Sequence, residues 1–303
     1  MPPPALIRQR LNAQYLSRPL AADPARLVSA LGALQAQDFS MALWAVGLRT
    51  GANRTAVLSA LNTGDIIRTH ILRPTWHLVA AADLRWMLAL SGPRVLRVIA
   101  PYARQFGLTE ADFKKARAVF EKALPGKALT REALQPLLEK AGVPTTDFRM
   151  TQLLMRAELE GQICSGPRSD HRGTYMLLDE RVPAAKLPFE GDAAAAELAR
   201  RYFSTRGPAT AADFAWWSGF TQRQAQAALS SIRSELDACG NDRYRIITDG
   251  AIGAVGHMNT KKGPFDAVLF NRYEVRVDDA DGSKIVHPGE TRAAKAQATN
   301  QNM

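Results

Sequence analysis

Residues 129–142, LTREALQPLLEKAG, begin the stretch whose pattern decides the fold. Thr130 is a typical N-cap residue, apolar side chains follow at helical spacing and a glycine ends the pattern, so a helix is predicted. After a short turn, residues 148–162, FRMTQLLMRAELEGQ, predict a second helix with Phe148 facing inward. Residues 163–179, ICSGPRSDHRGTYMLLD, alternate as two short strands around a polar loop. Helix, turn, helix and hairpin together predict a winged helix.

The same order of elements recurs elsewhere in the chain. After a linker rich in proline and charge at residues 179–192, two helices are predicted at 210–218 and from 221 to about 236, with a hairpin around Gly240. The first 80 residues repeat the order less clearly. Helices are predicted at 23–34, 40–49 and 54–63, followed by strands at 65–72 and 75–80.

We therefore expect an α+β, mainly α fold of three tandem winged helix-turn-helix modules, at residues 1–110, 111–182 and 192–250. Residues 251–303 show some strand-like alternation before a polar end. For them we expect a diverged or shortened β segment and a disordered tail.

Three aromatic residues lie together in the third predicted module. Phe214 and Trp217 are three residues apart on a helix, which favours packing in the core for the set Phe214, Trp216 and Trp217. Stacking on nucleic-acid bases is the alternative.

The positive charge is concentrated near the N-terminus. The net charge is +10, and residues 1–110 contain 12 arginines, no lysine and 5 acidic residues, an excess of 7. Such a surplus predicts a polyanionic partner, because phosphate contacts supply most sequence-independent affinity for nucleic acids. An arginine-over-lysine composition typical of a GC-rich genome is the alternative explanation.

Cysteine content and hydropathy indicate where the chain works. Cys164 and Cys239 lie far apart and have no neighbouring metal-ligand cluster, so we expect two buried thiols, no metal site and no disulfide. The N-terminal residues lack the pattern of a secretion signal, and no stretch has the length of a membrane span. We expect a cytoplasmic protein that does not associate with a membrane.

Two glutamines, Gln35 and Gln37, flank Ala36 in the stretch LGALQAQDFSMALW at residues 31–44. Residues two apart share a face in extended backbone but not in a helix. The two amides can therefore act together only if the preceding helix ends at or before Ala36. A structural role at a helix end is the alternative to a catalytic one.

Four stretches carry a resemblance to a known family: LGALQAQDFSMALWAVGLR, IIRTHILRPTWHLVAAADLRWMLALSGPRV, LLMRAELEGQICSGPR with TYMLLDERVP, and ARRYFSTRGPATAADFAWWSG. Together they resemble the AlkZ-like (YcaQ-like) bacterial DNA glycosylases over residues 5–250. The resemblance implies tandem winged helices in a C-shaped clasp around DNA, followed by a β-barrel-like element. It also implies monofunctional hydrolysis of the N-glycosidic bond of N7-alkylated purines, in some members with unhooking of interstrand crosslinks, and no cofactor. The family signature, Gln-x-Gln or Gln-x-Asp, falls on Gln35 and Gln37, which are the predicted catalytic residues.

Seven further residues are candidates for contact with DNA or the lesion. Asp38 is the rival carboxylate beside the glutamines, although in extended backbone it points away from them, and an N-cap for the helix near Ser40 is favoured. Thr75 and His77 share a strand face. The alternatives for His77 are that it lines a pocket, that it contacts phosphate, or that it has a purely structural role. Basic candidates lie on the first predicted hairpin and on the polar loop of the second module: Arg68, Arg73, Arg168 and Arg172.

The sequence leaves a second class of function open. A winged helix protein without catalysis, such as a transcriptional regulator, would have the same modules and charge. A regulator is expected to dimerise and to prefer one sequence, whereas a glycosylase is expected to be a monomer directed to duplex DNA with alkylated bases.

Overall fold

The computed structural model describes residues 4–20, 23–169 and 172–247. The chain separates into a unit of residues 1–11 with 248–303 and a unit of residues 12–247. The first unit is described only from residue 4 to residue 11, within helix α1 (Pro4–Ala13). The β segment and disordered tail predicted at 251–303 lie outside the described residues.

The first group of elements in the larger unit ends in a three-stranded antiparallel sheet. Its elements are α2 (Pro24–Leu31), β1 (Leu34–Gln35), α3 (Phe39–Thr50), α4 (Arg54–Thr63), β2 (Ile66–Ile71) and β3 (Arg73–Ala80). The strand order is β1-β3-β2, so the two-residue β1 lies at one edge and the long strand β3 in the middle. Helix α2 ends at Leu31, three residues before the predicted end of this helix. Residues 33–37, which we call the glutamine segment, are therefore free to pair with β3.

The second group repeats this order after a long helix. Its elements are α5 (Ala81–Gln105), α6 (Glu110–Ala123), β4 (Leu129–Thr130), α7 (Arg131–Lys140), α8 (Arg149–Leu159), β5 (Ile163–Ser165), β6 (Thr174–Leu177) and α9 (Leu178–Arg181). The sheet order is β4-β6-β5, and the Thr130 hydroxyl caps α7 by accepting from the amide of Ala133. Phe148 precedes α8 and is 63% exposed, so its predicted inward position is wrong.

The third group has the same order with a smaller sheet. Its elements are α10 (Gly191–Arg206), α11 (Ala211–Ser218), α12 (Gln222–Ser231), β7 (Leu236–Ala238) and β8 (Tyr244–Ile246). A single bridge between Ala209 and Tyr244 stands where the other groups have a first short strand. Helix α12 ends at Ser231 rather than near 236, because a 3₁₀ turn at Arg233–Glu235 follows it.

The two faces of the β1-β3-β2 sheet belong to different cores. Leu78 and Ala36 face a core with α2, α3 and α4, whereas Ile67 and Val79 face a core with α5 and α10 to α12. Phe214 and Trp217 are buried in that second core, as predicted, but Trp216 is 48% exposed, which corrects its predicted core position. The predicted mainly helical α+β class is confirmed.

The cysteines differ in their environments. Cys164 is buried, as predicted, whereas Cys239 is exposed next to β7, so the expectation of a second buried thiol is wrong. Neither forms a disulfide within the described ranges.

Candidate functional site

The glutamine segment is extended and is bound to the sheet through its backbone. The amide of Ala36 donates to the carbonyl of Trp76 at 2.7 Å, and the Ala36 side chain is fully buried against the core with α2 to α4. Since side chains alternate in extended backbone, Gln35 and Gln37 point away from that core. Ala36 lies outside any helix, so the geometric condition for the two amides to act together is met.

Two arginines from different parts of the chain hold the carbonyl groups of this segment. Arg68 on β2 donates from Nε and Nη2 to the Ala36 carbonyl at 3.1 and 2.9 Å. Arg206 at the end of α10 donates to the carbonyls of Leu31 and Ala33 at 2.8 and 2.9 Å. Burial lowers the pKa of Arg206 to about 10, so it remains a cation at neutral pH. The backbone around the glutamines is therefore fixed on both sides of Gln35.

Gln37 is exposed, but one end of its amide is anchored. Its Oε1 accepts a hydrogen bond from the backbone N–H of Trp76 at 3.2 Å, where β1 has already ended. Because a backbone N–H only donates, the atom facing it is the carbonyl oxygen of the amide, and the NH₂ group is left to point outward. The carbonyl oxygen has a second lone pair, so it can still accept from water.

Gln35 lies opposite His77 in the β1–β3 ladder and is half-buried. Its side chain makes no hydrogen bond to any described residue. His77 is 1% exposed, and burial, with Arg73 next in effect, lowers its pKa to about 3, so the ring is neutral. A direct contact between His77 and phosphate was one of its predicted roles, and this burial contradicts it. Its Nδ1 lies 2.9 Å from the Thr75 carbonyl and must carry the proton, so Nε2 is an acceptor.

Two polar atoms near Gln35 have no hydrogen-bond partner among the described residues. They are Nε2 of His77 and the hydroxyl oxygen of Thr75, and both are buried. Thr75 and His77 lie on one face of β3, and Gln35, which pairs with His77, lies on the same face of the sheet. The site thus contains a neutral acceptor and a hydroxyl behind the half-buried glutamine.

Asp38 serves as the cap of helix α3. Its carboxylate accepts from the amide of Met41 at 3.0 Å, which confirms the predicted N-cap. The helix begins at Phe39, one residue before the predicted start. The carboxylate is exposed, but it is directed to the helix start.

Arg68 and Arg168 lie beside two aromatic rings next to the glutamine segment. The Arg68 guanidinium is 4.2 Å from the Trp76 ring centroid, and the Arg168 guanidinium is 4.2 Å from that of Phe39. Burial lowers the pKa of Arg68, and the nearby Glu158 carboxylate opposes that shift. A pocket at this point is lined by Phe39, Leu61, Arg68, Trp76, Ser165, Gly166, Arg168, Gly173, Thr174 and Tyr175.

Arg73 and Arg172 are not among the residues that line this pocket. The Arg73 guanidinium is 4.6 Å from the ring of the exposed Trp216, at the start of β3. Arg172 is exposed in the β5–β6 loop, where its backbone pairs with Ser169. The structure therefore groups Arg68 and Arg168 with Phe39 and Trp76, while Arg73 lies beside Trp216 of α11.

A buried acid–histidine pair lies behind the pocket, and sequence reasoning missed it. His70 and Glu158 are 3% and 0% exposed, and Nδ1 of His70 contacts a carboxylate oxygen of Glu158. The His70 ring centroid is 4.1 Å from that of Trp76. Burial raises the pKa of Glu158, and His70 opposes the shift. A glutamate within the apolar face of α8 was the available signal.

The described ranges contain neither a candidate metal-ligand cluster nor a candidate membrane-spanning helix. No group of three or more histidine, cysteine, aspartate or glutamate residues is close enough to hold a metal ion. No helix there combines the length and apolar character that crossing a bilayer requires.

The fold and the site define a class: a mainly helical α+β protein with a two-amide segment held by arginines beside a pocket of aromatic residues. The chain belongs to the AlkZ-like DNA glycosylase family, whose model matches residues 28–272. The match extends beyond residue 250, where the resemblance in the sequence became weak.

A solved structure has a similar fold, the DNA glycosylase AlkZ of Streptomyces sahachiroi, with a TM-score of 0.66 and 23% sequence identity. The similarity covers 80% of this chain and 68% of that one. At 23% identity, this similarity shows a shared fold alone. Comparison with the curated proteins gives no significant match.

Proposed function

We propose that this chain is a monofunctional DNA repair glycosylase that hydrolyses the N-glycosidic bond of N7-alkylated purines in duplex DNA. The observation that supports it most is the Gln37 amide, which is exposed in extended backbone and anchored by the Trp76 N–H at 3.2 Å. A family of DNA glycosylases is matched over the segment that contains it.

The chemistry suits amides because the substrate does part of the work. An N7-alkylated purine already carries a positive charge, so its glycosidic bond is weakened and the leaving base needs no strong acid. What remains is to position water and to stabilise a sugar cation, which well-placed hydrogen-bond groups can do. Amides are poor bases, so an uncharged normal base would not be released at a useful rate. Interstrand crosslinks through two such purines contain the same bond and belong to the proposed substrate class.

Water is the proposed nucleophile rather than an amine. Glycosylases that also cut the strand require an amine such as lysine for a Schiff base, and residues 1–110 contain no lysine. The pocket lined by Arg68 and Trp76 likewise contains no lysine. The proposed reaction needs only DNA and water, and we expect a monomeric, cytoplasmic enzyme.

The repeated element order suggests how DNA is held. Each group of elements runs helix, short strand or bridge, two helices and hairpin, which is the order of a winged helix. We infer three tandem winged helix modules that form a clasp around duplex DNA. We propose that Arg168 and Arg172, on the loop of the second hairpin, act as wing residues that contact the DNA backbone.

The direct test is incubation of the purified chain with a duplex that contains one N7-methylguanine. Alkaline cleavage then detects abasic sites, and the same duplex without the lesion is the control. We expect strand cleavage at the lesion only after alkali treatment. No abasic site at any enzyme concentration would favour the non-catalytic DNA-binding protein, in which the Gln37 carbonyl serves only to complete the β1–β3 ladder.

A further inference from the structure

A concave surface rich in arginine lies where helix α5 meets the start of α12, and it shares no lining residue with the pocket at Arg68 and Trp76. We call it the arginine groove, and its lining residues are Arg94, Arg97, Thr221, Arg223, Gln224 and Ala227. The lining contains three guanidinium groups and no carboxylate.

The three cations of the groove have no internal counter-ion. Arg94, Arg97 and Arg223 form no ion pair with an acidic residue in the described part of the chain. Burial lowers the pKa of Arg94 to about 10, and the positive charge of Arg97 acts in the same direction. Positive charges held together in this way favour an anion that enters from solvent.

Arg94 forms the fixed base of the groove. Its Nη2 donates to the carbonyls of Leu72 and Ser218, both at 2.8 Å, and its guanidinium is 5.0 Å from the Phe220 ring. Arg97 and Arg223 are exposed, so they remain available to a ligand.

The start of helix α12 adds backbone donors at the same place. Thr221 and Gln224 form a capping box, in which each side chain accepts from the backbone N–H of the other residue. The amides of Gln222 and Arg223 have no acceptor within the helix because they belong to its first turn. The positive end of the helix dipole therefore faces the same surface as the arginines.

We propose that the arginine groove binds phosphates of the DNA backbone, as a contact separate from the glutamine segment. This rests on the proposed function in that the partner is duplex DNA. Arg94 contacts Leu72, which precedes β3, and Trp76, which anchors Gln37, lies on that strand. Leu72 and Trp76 are four residues apart, which is on the order of 13 Å in extended backbone, whereas one turn of duplex is about 34 Å long. A single duplex can thus reach both places.

The test is the salt dependence of binding to an undamaged duplex, measured by fluorescence anisotropy at several salt concentrations. Each lost phosphate contact reduces the slope of log affinity against log salt by about 0.9. We expect Arg97→Gln/Arg223→Gln to reduce the slope by roughly 2 and to weaken binding at 0.1 M salt by roughly 10-fold or more. Arg94 is left intact because it supports the fold.

The matched control is Arg117→Gln/Arg149→Gln, which removes the same charge. Both arginines are already paired, with Glu121 at 3.0 Å and Asp147 at 2.9 Å. This control should keep the slope of the parent chain. Arg97→Lys/Arg223→Lys should also keep it, because each lysine restores a cation.

The proposal would be overturned if Arg97→Gln/Arg223→Gln had the same salt slope as the parent. It would also be overturned if Arg117→Gln/Arg149→Gln reduced the slope by the same amount as Arg97→Gln/Arg223→Gln. A third contradicting result would be Arg97→Lys/Arg223→Lys binding DNA no better than Arg97→Gln/Arg223→Gln. The readout involves no base release. A chain without glycosylase activity would still test the groove, and a failed groove would leave the proposed reaction standing.

Discussion

Replacement of Arg68 by methionine tests whether the backbone of the glutamine segment is held by this side chain. The change retains an apolar stem but removes both donors to the Ala36 carbonyl, at 3.1 and 2.9 Å, and the stacking on Trp76 at 4.2 Å. Hydrogen bonds to a charged group contribute about 1.5–3 kcal/mol and a cation–π contact about 0.5–2 kcal/mol. Part of this is offset because burial of the cation is no longer required.

We expect Arg68→Met to lower the free energy of unfolding by about 2–4 kcal/mol. The chain should remain folded at 25 °C, where single domains have about 5–15 kcal/mol. Urea titration followed by circular dichroism measures this change. Base release by the folded variant should fall by roughly 10-fold or more, because a displacement of about 1 Å at a reacting group can cost 10²-fold.

The control is Arg168→Met, which removes a similar stacking contact, 4.2 Å from the Phe39 ring, but no donor to the glutamine segment. It should cost about 1 kcal/mol or less. If Arg68→Met unfolds at the same urea concentration as this control and releases base as fast as the parent, the proposed role of Arg68 is wrong.

Three further predictions concern Gln37, His77 and Gly92. Gln37→Ala should reduce the single-turnover rate of N7-methylguanine release by roughly 10²-fold, with little change in DNA affinity. Gln37→Glu should retain more activity, because a carboxylate still accepts from the Trp76 N–H and from water. Equal rates for the parent and the alanine variant would contradict this. The pKa of His77 in the folded chain, about 3, lies below the usual 6.5, so its contribution to stability is complete above pH 6.5 and is lost as pH falls towards 3. Between pH 7.5 and 5, the free energy of unfolding of the parent, measured by urea titration, should therefore fall by about 2 kcal/mol more than that of His77→Gln. Parallel curves of unfolding free energy against pH would refute the burial argument. A Cβ at Gly92 would lie 2.7 Å from the Leu159 carbonyl oxygen, so Gly92→Ala should lower the unfolding free energy by about 1–2 kcal/mol despite its better helix propensity, whereas Gly173→Ala, which meets open space, should have little effect.

Local signals in the sequence predicted the features that depend on neighbouring residues. Thr130 and Asp38 cap helices because a side-chain oxygen reaches an amide three residues ahead. The extended backbone at Ala36 followed from the requirement that Gln35 and Gln37 share a face. These inferences need no knowledge of how distant segments pack.

Contacts between distant segments could not be predicted. Gln37 meets the amide of Trp76, 39 residues away, so which end of its amide is anchored depends on the β1–β3 register. His70 and Glu158 are 88 residues apart, and a histidine in one apolar strand does not indicate an acid in a distant helix.

Exposure of single aromatic residues was equally hidden from the pattern. Trp216 and Phe148 satisfy the apolar composition of their segments but lie at the surface, where Trp216 contacts Arg73 and Phe148 contacts Phe106. Helical spacing predicts which residues share a face. It does not show how far a neighbouring element extends to cover that face.

The measurement that tests the central claim most directly is the release of N7-methylguanine from duplex DNA by Gln35→Ala/Gln37→Ala, compared with the parent at saturating enzyme. The control is Gln135→Ala, which removes a partly exposed amide that donates to Glu139 on α7. We predict that the parent and the control release the base at equal rates and that the double variant is slower by 10²-fold or more while it still binds the duplex. A double variant that releases the base as fast as the parent would show that the two glutamines complete the fold and that the catalytic groups lie elsewhere.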